Sequence, residues 1–192
     1  MDGKTHRTAG ICTGLIIASN YMLIEPYSLY KAVPCVALVA GSALGSLLPD
    51  IDHPDSMIGK KVKPISIILN KGLGHRGIMH SPFIYMLMFM LFSILIESQI
   101  SGMYLKTILM SFMIGLLSGT FSHLFLDILT IGGIPLIYPF TKKKIRIFKF
   151  KSGSKMSKFI ISGLFIGITV ISLRNKLLVL VIDIFNRFVG MI

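Results

Sequence analysis

The sequence predicts an all-α fold, a polytopic bundle of about five to six transmembrane helices with a metal site at its cytoplasmic face. Hydrophobic residues make up 53% of the 192 residues. Charged residues make up only 15%, whereas soluble domains average about 25%. The mean hydropathy is +0.77. A soluble fold of this length could not bury so much apolar surface, so the lipid bilayer is the expected solvent.

Six apolar runs along the chain are the candidate helices. They occupy residues 11–24, 32–48, 82–96, 107–129, 159–173 and 177–192. Several are shorter than the ~20 residues that a spanning helix needs, so flanking polar residues are expected near the headgroups. The last run is the weakest span, because Asp183 and Arg187 interrupt it. These two side chains are four residues apart and could pair, or the run could lie on the membrane surface.

The distribution of charge predicts the topology of a single membrane domain, residues 1–192. Residues 56–77 contain five basic side chains and no acidic one, and residues 139–158 contain eight and again none. The positive-inside rule places both loops, and with them the N-terminus, in the cytoplasm. The domain then divides into a core (1–140), a basic cytoplasmic loop (141–158) and C-terminal helices (159–192). The net charge of +12 favours anionic lipid as a partner over nucleic acid.

All five histidines fall on the cytoplasmic side of this topology. They stand before the first run, after the second, before the third and at the inner end of the fourth. Because the topology was inferred from lysine and arginine alone, this clustering is independent support for a shared site. Imidazole nitrogen with carboxylate oxygen suits zinc, manganese or iron. The candidate ligands are His6, Asp50, His53, His75, His80, His123 and Asp127.

Two local patterns carry most of this chemistry. His123 and Asp127 are four residues apart on a predicted helix and therefore point the same way. Ionisable residues within a span indicate function by default, although a structural Asp–His hydrogen bond is the alternative. Asp50, Asp52 and Asp55 crowd three carboxylates into six residues. Such charges repel each other unless a cation offsets them, although a helix-capping turn is the alternative here.

These residues resemble the YdjM-type membrane-bound proteins, a family described as metal-dependent hydrolases. The resemblance covers about residues 1–140. It is carried by Thr5-His6-Arg7, Leu48-Pro49-Asp50-Ile51-Asp52-His53, His75-Arg76-Gly77, His80-Ser81, and His123-Leu124-Phe125-Leu126-Asp127 followed by Thr130 and Gly133. The family is similar in ligand order to zinc phospholipase C and P1-type nucleases, helical enzymes that hold zinc ions through histidine and aspartate. The resemblance implies a hydrolase in the bacterial inner membrane with one to three divalent ions, zinc ahead of manganese or iron.

Three functions are compatible with these patterns. The first is a phosphoester hydrolase of lipid-linked phosphates at the inner membrane surface, because a two-metal centre polarises phosphoryl groups and activates water. Its catalytic residues would be Asp52, His80 and Arg76, the guanidinium binding phosphate in a bidentate manner. The second is a metal transporter or sensor. The third is a non-catalytic membrane scaffold whose His–Asp contacts are structural.

Overall fold

The computed structural model describes residues 2–23, 29–73, 77–148 and 154–189, and in the last helix it describes side chains as far as Arg174. Within these ranges the chain is helical and has no strand, which confirms the predicted all-α class. Of two short 3₁₀ turns, Leu48–Asp52 follows the second helix and Ile78–His80 precedes the fourth. The helices are α1 (Gly3–Leu23), α2 (Leu29–Gly45), α3 (Lys63–Leu73), α4 (Pro82–Gln99), α5 (Met103–Ile128) and α6 (Lys155–Val189).

Four helical segments of the described chain are long and apolar enough to cross a membrane. They are Tyr30–Asp52, Pro82–Gln99, Met103–Ile128 and Lys155–Arg174. Helix α1 is not among them, although its 21 residues extend about 30 Å. The fifth and sixth apolar runs form one continuous helix, α6, because residues 173–177 contain neither proline nor glycine to interrupt it. The side chains of Asp183 and Arg187 lie outside the described residues.

Glycines let α2 and α5 pack backbone against backbone. Gly41 and Gly45 on α2 and Gly115 and Gly119 on α5 form two small-xxx-small motifs, the pattern that permits close helix contact in membranes. A Cβ atom added at any of the four would collide with a carbonyl oxygen of the opposite helix. Thr120 Oγ1 donates a hydrogen bond to the carbonyl of Gly45 across the same contact, at 3.1 Å. This contact fixes the position of α2 along α5, and therefore the relative position of their C-terminal ends.

Helix α1 packs beside this pair and is fixed at its N-terminus. Asp2 caps it, accepting hydrogen bonds from the backbone N–H of Thr5 at 3.0 Å and from its hydroxyl at 2.6 Å. Asp2 also forms an ion pair of 2.6 Å with Lys158 at the start of α6. Burial raises the pKa of Asp2, but the hydrogen bonds from Lys158 and Thr5 outweigh it, so the pKa falls to about 2. His6, four residues after this cap, donates its backbone N–H to the carbonyl of Asp2 at 3.2 Å and is thereby held at the end of the bundle.

Helix α3, which the apolar runs did not predict, lies in the first basic loop. Asn70 of this helix donates a hydrogen bond of 2.8 Å to the backbone carbonyl of Asp52, so α3 supports the 3₁₀ turn after α2. Ile65 and Ile68 on α3 are exposed, and lysines flank them. Exposed isoleucines beside lysines are typical of a helix that lies in the membrane interface.

The segment after α5 folds back over the same end of the bundle. Thr130 donates a hydrogen bond of 2.8 Å from its hydroxyl to the carbonyl of Asp127 and so ends the helix. Gly133 has φ +54°, a left-handed conformation that glycine adopts at little cost. Ile134 is fully buried and pairs with Ile145 through two backbone hydrogen bonds of 3.2 and 2.9 Å. This hairpin-like loop therefore covers the C-terminal end of α5, where the N–H of Ile147 donates a hydrogen bond of 3.0 Å to the carbonyl of Ile128.

Candidate metal centre

The N-terminal ends of α1 and α4 meet the C-terminal ends of α2 and α5 at one end of the bundle. Each end contributes polar side chains, and five of the six are almost fully buried. The residues are His6 from α1, Asp50 and Asp52 from the turn after α2, His80 from the turn before α4, and His123 and Asp127 from α5. The alternating direction of the helices thus brings together the residues that the sequence placed on one membrane face.

The first group of donors comprises His6, His123 and Asp127, whose ligand atoms all lie within 4.8 Å of one another. The Nε2 atom of His6 lies 3.4 Å from Oδ1 of Asp127. The rings of His6 and His123 stack with their centroids 3.7 Å apart. Within the described part of the chain, both ring nitrogens of His6 and Nε2 of His123 are buried without a hydrogen-bond partner. A buried imidazole in this condition is costly unless a ligand satisfies it.

The second group comprises Asp50, His80 and His123, and the other oxygen of Asp127 extends it. Oδ1 of Asp50 lies 3.8 Å from Nε2 of His80 and 3.7 Å from Nε2 of His123. Oδ2 of Asp127 lies 3.6 Å and 3.8 Å from the same two nitrogens. The two nitrogens therefore each lie between a carboxylate oxygen of Asp50 and one of Asp127. Asp127 faces both groups through different oxygens, which is how a bridging carboxylate is arranged.

Residues behind the donors orient two of the histidines. Nδ1 of His123 lies 2.7 Å from the backbone carbonyl of Ser46. Because a carbonyl only accepts, Nδ1 carries the proton and the lone pair of Nε2 faces the donor group. Asp52 lies behind His80, with Oδ2 3.7 Å from Nδ1. Carbonyl or carboxylate partners on the far nitrogen are the usual arrangement for metal-binding histidines.

The spacing of the donors fits a divalent ion. Two ligands about 2.0–2.2 Å from a tetrahedral zinc ion lie about 3.3–3.6 Å apart. The five nitrogen–oxygen distances within the two groups are 3.4 to 3.8 Å. Good hydrogen bonds are shorter, about 2.7–3.2 Å. The set of nitrogen and carboxylate donors suits zinc, manganese or iron. The residues that would hold such ions are His6, Asp50, His80, His123 and Asp127.

Three residues of the predicted site have other placements. His53 is half-buried in the turn after α2, where its Nδ1 accepts a hydrogen bond of 3.2 Å from the backbone N–H of Asp55. Neither donor group contains His53. His75 and Arg76 lie outside the described residues.

Sequence reasoning missed the residues that support the donors. Ser46 acts through a backbone carbonyl and Asn70 through an amide on an unpredicted helix, and neither leaves a residue-type signal for this role. Ser81 caps α4 and donates a hydrogen bond of 2.6 Å to the carbonyl of Tyr138 in the covering loop, which fixes the position of the neighbouring His80. The glycine motifs of α2 and α5 were the available signal, since they predict close contact of these helices.

The chain is similar to two bacterial proteins and to one family model. An uncharacterised protein of Bacillus subtilis, YvsG, is 34% identical over 167 residues, which cover 85% of this chain and 89% of that protein. The inner membrane protein YdjM of Escherichia coli is 32% identical over 130 residues, covering 67% of this chain and 63% of that protein. No solved structure matches, so the similarity to zinc phospholipase C and P1-type nucleases stays a prediction. The family model for the YdjM inner membrane protein matches residues 1–189, and the chain therefore belongs to the YdjM family.

Proposed function

We propose that the chain is a metal-dependent hydrolase of phosphoesters that acts at the inner surface of the bacterial inner membrane. The observation that carries this proposal is the buried group of three histidines and three aspartates at one end of the bundle. A scaffold has little reason to bury Nε2 of His123 without a hydrogen-bond partner, because such a nitrogen costs about 1–3 kcal/mol. A bound cation would remove that cost.

The proposal gives separate roles to the metal ions, to Asp52 and His80, and to Arg76. Bound divalent ions supply Lewis-acid stabilisation of phosphoryl oxygens and acidify a water molecule. Asp52, at 3.7 Å from Nδ1, holds the ring of His80 so that Nε2 faces the centre. Arg76 precedes His80 by four residues, and its guanidinium is proposed to bind the phosphate oxygens in a bidentate manner. No serine or cysteine nucleophile is required.

The position of the centre favours a lipid-linked substrate. The donors lie at the ends of helices that are apolar enough to cross a membrane, which is the depth of the lipid headgroups. The exposed isoleucines of α3 lie beside them and suit the same interface. The name of the E. coli relative supports the inner membrane, and the lysine-rich loops support a cytoplasmic N-terminus.

Metal analysis and turnover on the purified protein test the proposal. We expect at least one divalent ion per chain, and metal-dependent release of phosphate or alcohol from a panel of phospholipids, isoprenoid phosphates and short-chain phosphoesters. Asp52→Asn and His80→Ala should lower kcat by about 100-fold or more, as loss of a key catalytic contact does. Asp55→Asn is the matched control, because Asp55 is exposed in the same turn. Arg76→Lys should cost more than its unchanged charge implies.

The same experiment distinguishes the alternatives. A transporter would move ions into proteoliposomes without turning over any phosphoester. A scaffold would show neither flux nor turnover, and its Asp52→Asn and His80→Ala variants would fail by unfolding. A protein that stays metal-free after reconstitution with zinc, manganese and iron would refute the proposal.

A further inference from the structure

An apolar groove between α4 and α5 leads away from the metal centre toward the middle of the bilayer. Its volume is about 340 Å³. The lining residues are Leu48, Tyr85, Met88, Phe89, Phe92 and, from α5, Phe112, Met113, Leu116, Leu117 and Thr120. From Thr120 to Phe112 the groove extends eight residues along α5, which corresponds to about 12 Å. Met88 and Phe92 are exposed, so the groove is open along the side that faces lipid.

One end of the groove adjoins the donor residues. Thr120 lies one turn before His123 on α5, and Leu48 precedes Pro49 and Asp50 in the turn after α2. Tyr85 lies one turn into α4, and its hydroxyl donates a hydrogen bond of 2.8 Å to the carbonyl of Met79, the neighbour of His80. This end of the groove therefore lies next to the residues that flank the centre.

The side chains that line the groove determine which kind of molecule it can bind. Its two hydroxyl groups both belong to residues at the end near the centre, and the chain itself satisfies both. Tyr85 donates to the Met79 carbonyl and Thr120 to the Gly45 carbonyl. The rest of the wall offers hydrocarbon, aromatic and thioether surface, which favours a chain of methylene groups and offers no partner to a polar one.

We propose that this groove holds one acyl chain of a membrane phospholipid whose phosphate lies at the metal centre. The inference rests on the proposed function and adds the substrate class and the way it is bound. Phospholipid is the occupant because the groove is open to the bilayer along its length and ends where the phosphodiester would meet the donors. A substrate bound in this way enters sideways from the bilayer and does not pass through water.

Photocrosslinking of the full-length protein tests the groove without requiring turnover. The probe is a phosphatidylglycerol with a diazirine midway along one acyl chain, in vesicles of phosphatidylethanolamine and phosphatidylglycerol. We expect labelling to concentrate on Met88 and Met113. Met88→Trp, which fills the groove, should reduce the labelling of Met113 by about tenfold, the effect of excluding about two methylene groups. Met86→Trp is the matched control, because Met86 is 56% exposed against 43% for Met88 and does not line the groove.

A second experiment measures how unlabelled lipids compete with the probe for the wild-type protein, so it does not depend on the folding of a variant. Unlabelled phosphatidylglycerol should displace the probe. A diacylglycerol with the same acyl chains but no phosphate should displace it several times less well. Labelling that spreads evenly over the exposed methionines of α4, or that both lipids compete equally, would overturn the proposed groove.

The two proposals fail separately. If short-chain phosphoesters are hydrolysed while groove labelling is absent, the hydrolase stands and the acyl-chain site is refuted. If labelling is specific but no phosphoester is turned over with any metal, the groove stands as a phospholipid site and the hydrolase is refuted.

Discussion

Asp127 is the residue whose replacement best separates a metal centre from a purely structural His–Asp cluster. Its Oδ1 lies 3.4 Å from Nε2 of His6, and its Oδ2 lies 3.6 Å from Nε2 of His80. The substitution Asp127→Asn keeps the shape of the side chain and removes the negative charge that faces both donor groups. Both hypotheses predict that the substitution lowers stability. A metal centre predicts the loss in the zinc-loaded protein, and a structural cluster predicts it in the EDTA-treated protein.

The magnitude for a metal centre follows from charge and distance. A carboxylate bound to a divalent ion gains at least the value for two unit charges about 4 Å apart, about 4 kcal/mol at an effective dielectric constant near 20. Because the amide oxygen of asparagine keeps part of this interaction, we expect zinc affinity to fall by about 100- to 1,000-fold. At a zinc concentration of about 1,000 times the wild-type Kd, binding stabilises the wild type by about 4 kcal/mol. The variant should gain only about 0.4–1.4 kcal/mol under the same conditions.

The assay is thermal unfolding in detergent with EDTA and with excess zinc, together with competition for zinc against a coloured chelator. Asp55→Asn is the control for the loss of an exposed carboxylate outside both donor groups. The structural hypothesis predicts that Asp127→Asn lowers the stability of the EDTA-treated protein by about 3–5 kcal/mol, the usual cost of breaking a buried ion pair. The metal centre would be refuted if Asp127→Asn were much less stable than the wild type in EDTA and if zinc did not stabilise the wild type.

Three further predictions concern topology, packing and pH. Cysteines introduced at Lys61 and at Glu97 should be labelled from opposite sides of the membrane, and labelling from one side would contradict the inferred topology. Gly119→Ala, whose Cβ would meet the Ser42 carbonyl, should lower stability by about 1–3 kcal/mol, whereas Gly163→Ala, with nothing within 4 Å, should not. Asp2→Asn should cost less than about 1 kcal/mol at pH 7, because the ion pair is about one-third exposed. The folded pKa of about 2 lies below the ordinary 3.8, so the stability gap between wild type and variant should close as pH falls from about 4 to about 2, and a constant gap would contradict it.

The apolar runs predicted the bundle well because burial in lipid constrains composition strongly. Four of the six runs correspond to α1, α2, α4 and α5. The boundary between the last two runs was not a helix end, because charged residues interrupt hydropathy without interrupting the backbone. Helix α3 was missed for the complementary reason. Its lysines and asparagine keep its hydropathy low, although the backbone is helical from Lys63 to Leu73.

The sequence predicted that histidines would meet at one end of the bundle, but it did not predict the geometry of the cluster. Counting spans placed the histidines at one face, and the structure brings His6, His80 and His123 together. The spacing along the chain could not separate Asp50 and Asp52, which face different nitrogens of His80. It also could not show that His53 turns toward Asp55. Such distinctions depend on the backbone path of a five-residue 3₁₀ turn, which residue types alone do not specify.

Close packing of α2 and α5 links the fold to the proposed chemistry. Gly45 directly precedes Ser46, whose carbonyl accepts the hydrogen bond from Nδ1 of His123, and Gly119 lies one turn before His123. A shift of either helix by a few tenths of an ångström would lengthen that 2.7 Å contact and rotate the imidazole. Hydrogen bonds to the far nitrogen of a metal-binding histidine typically affect metal affinity by about 10- to 100-fold. We therefore expect Gly45→Ala to weaken zinc binding at temperatures where the bundle is still folded, an effect that a glycine serving only stability would not produce.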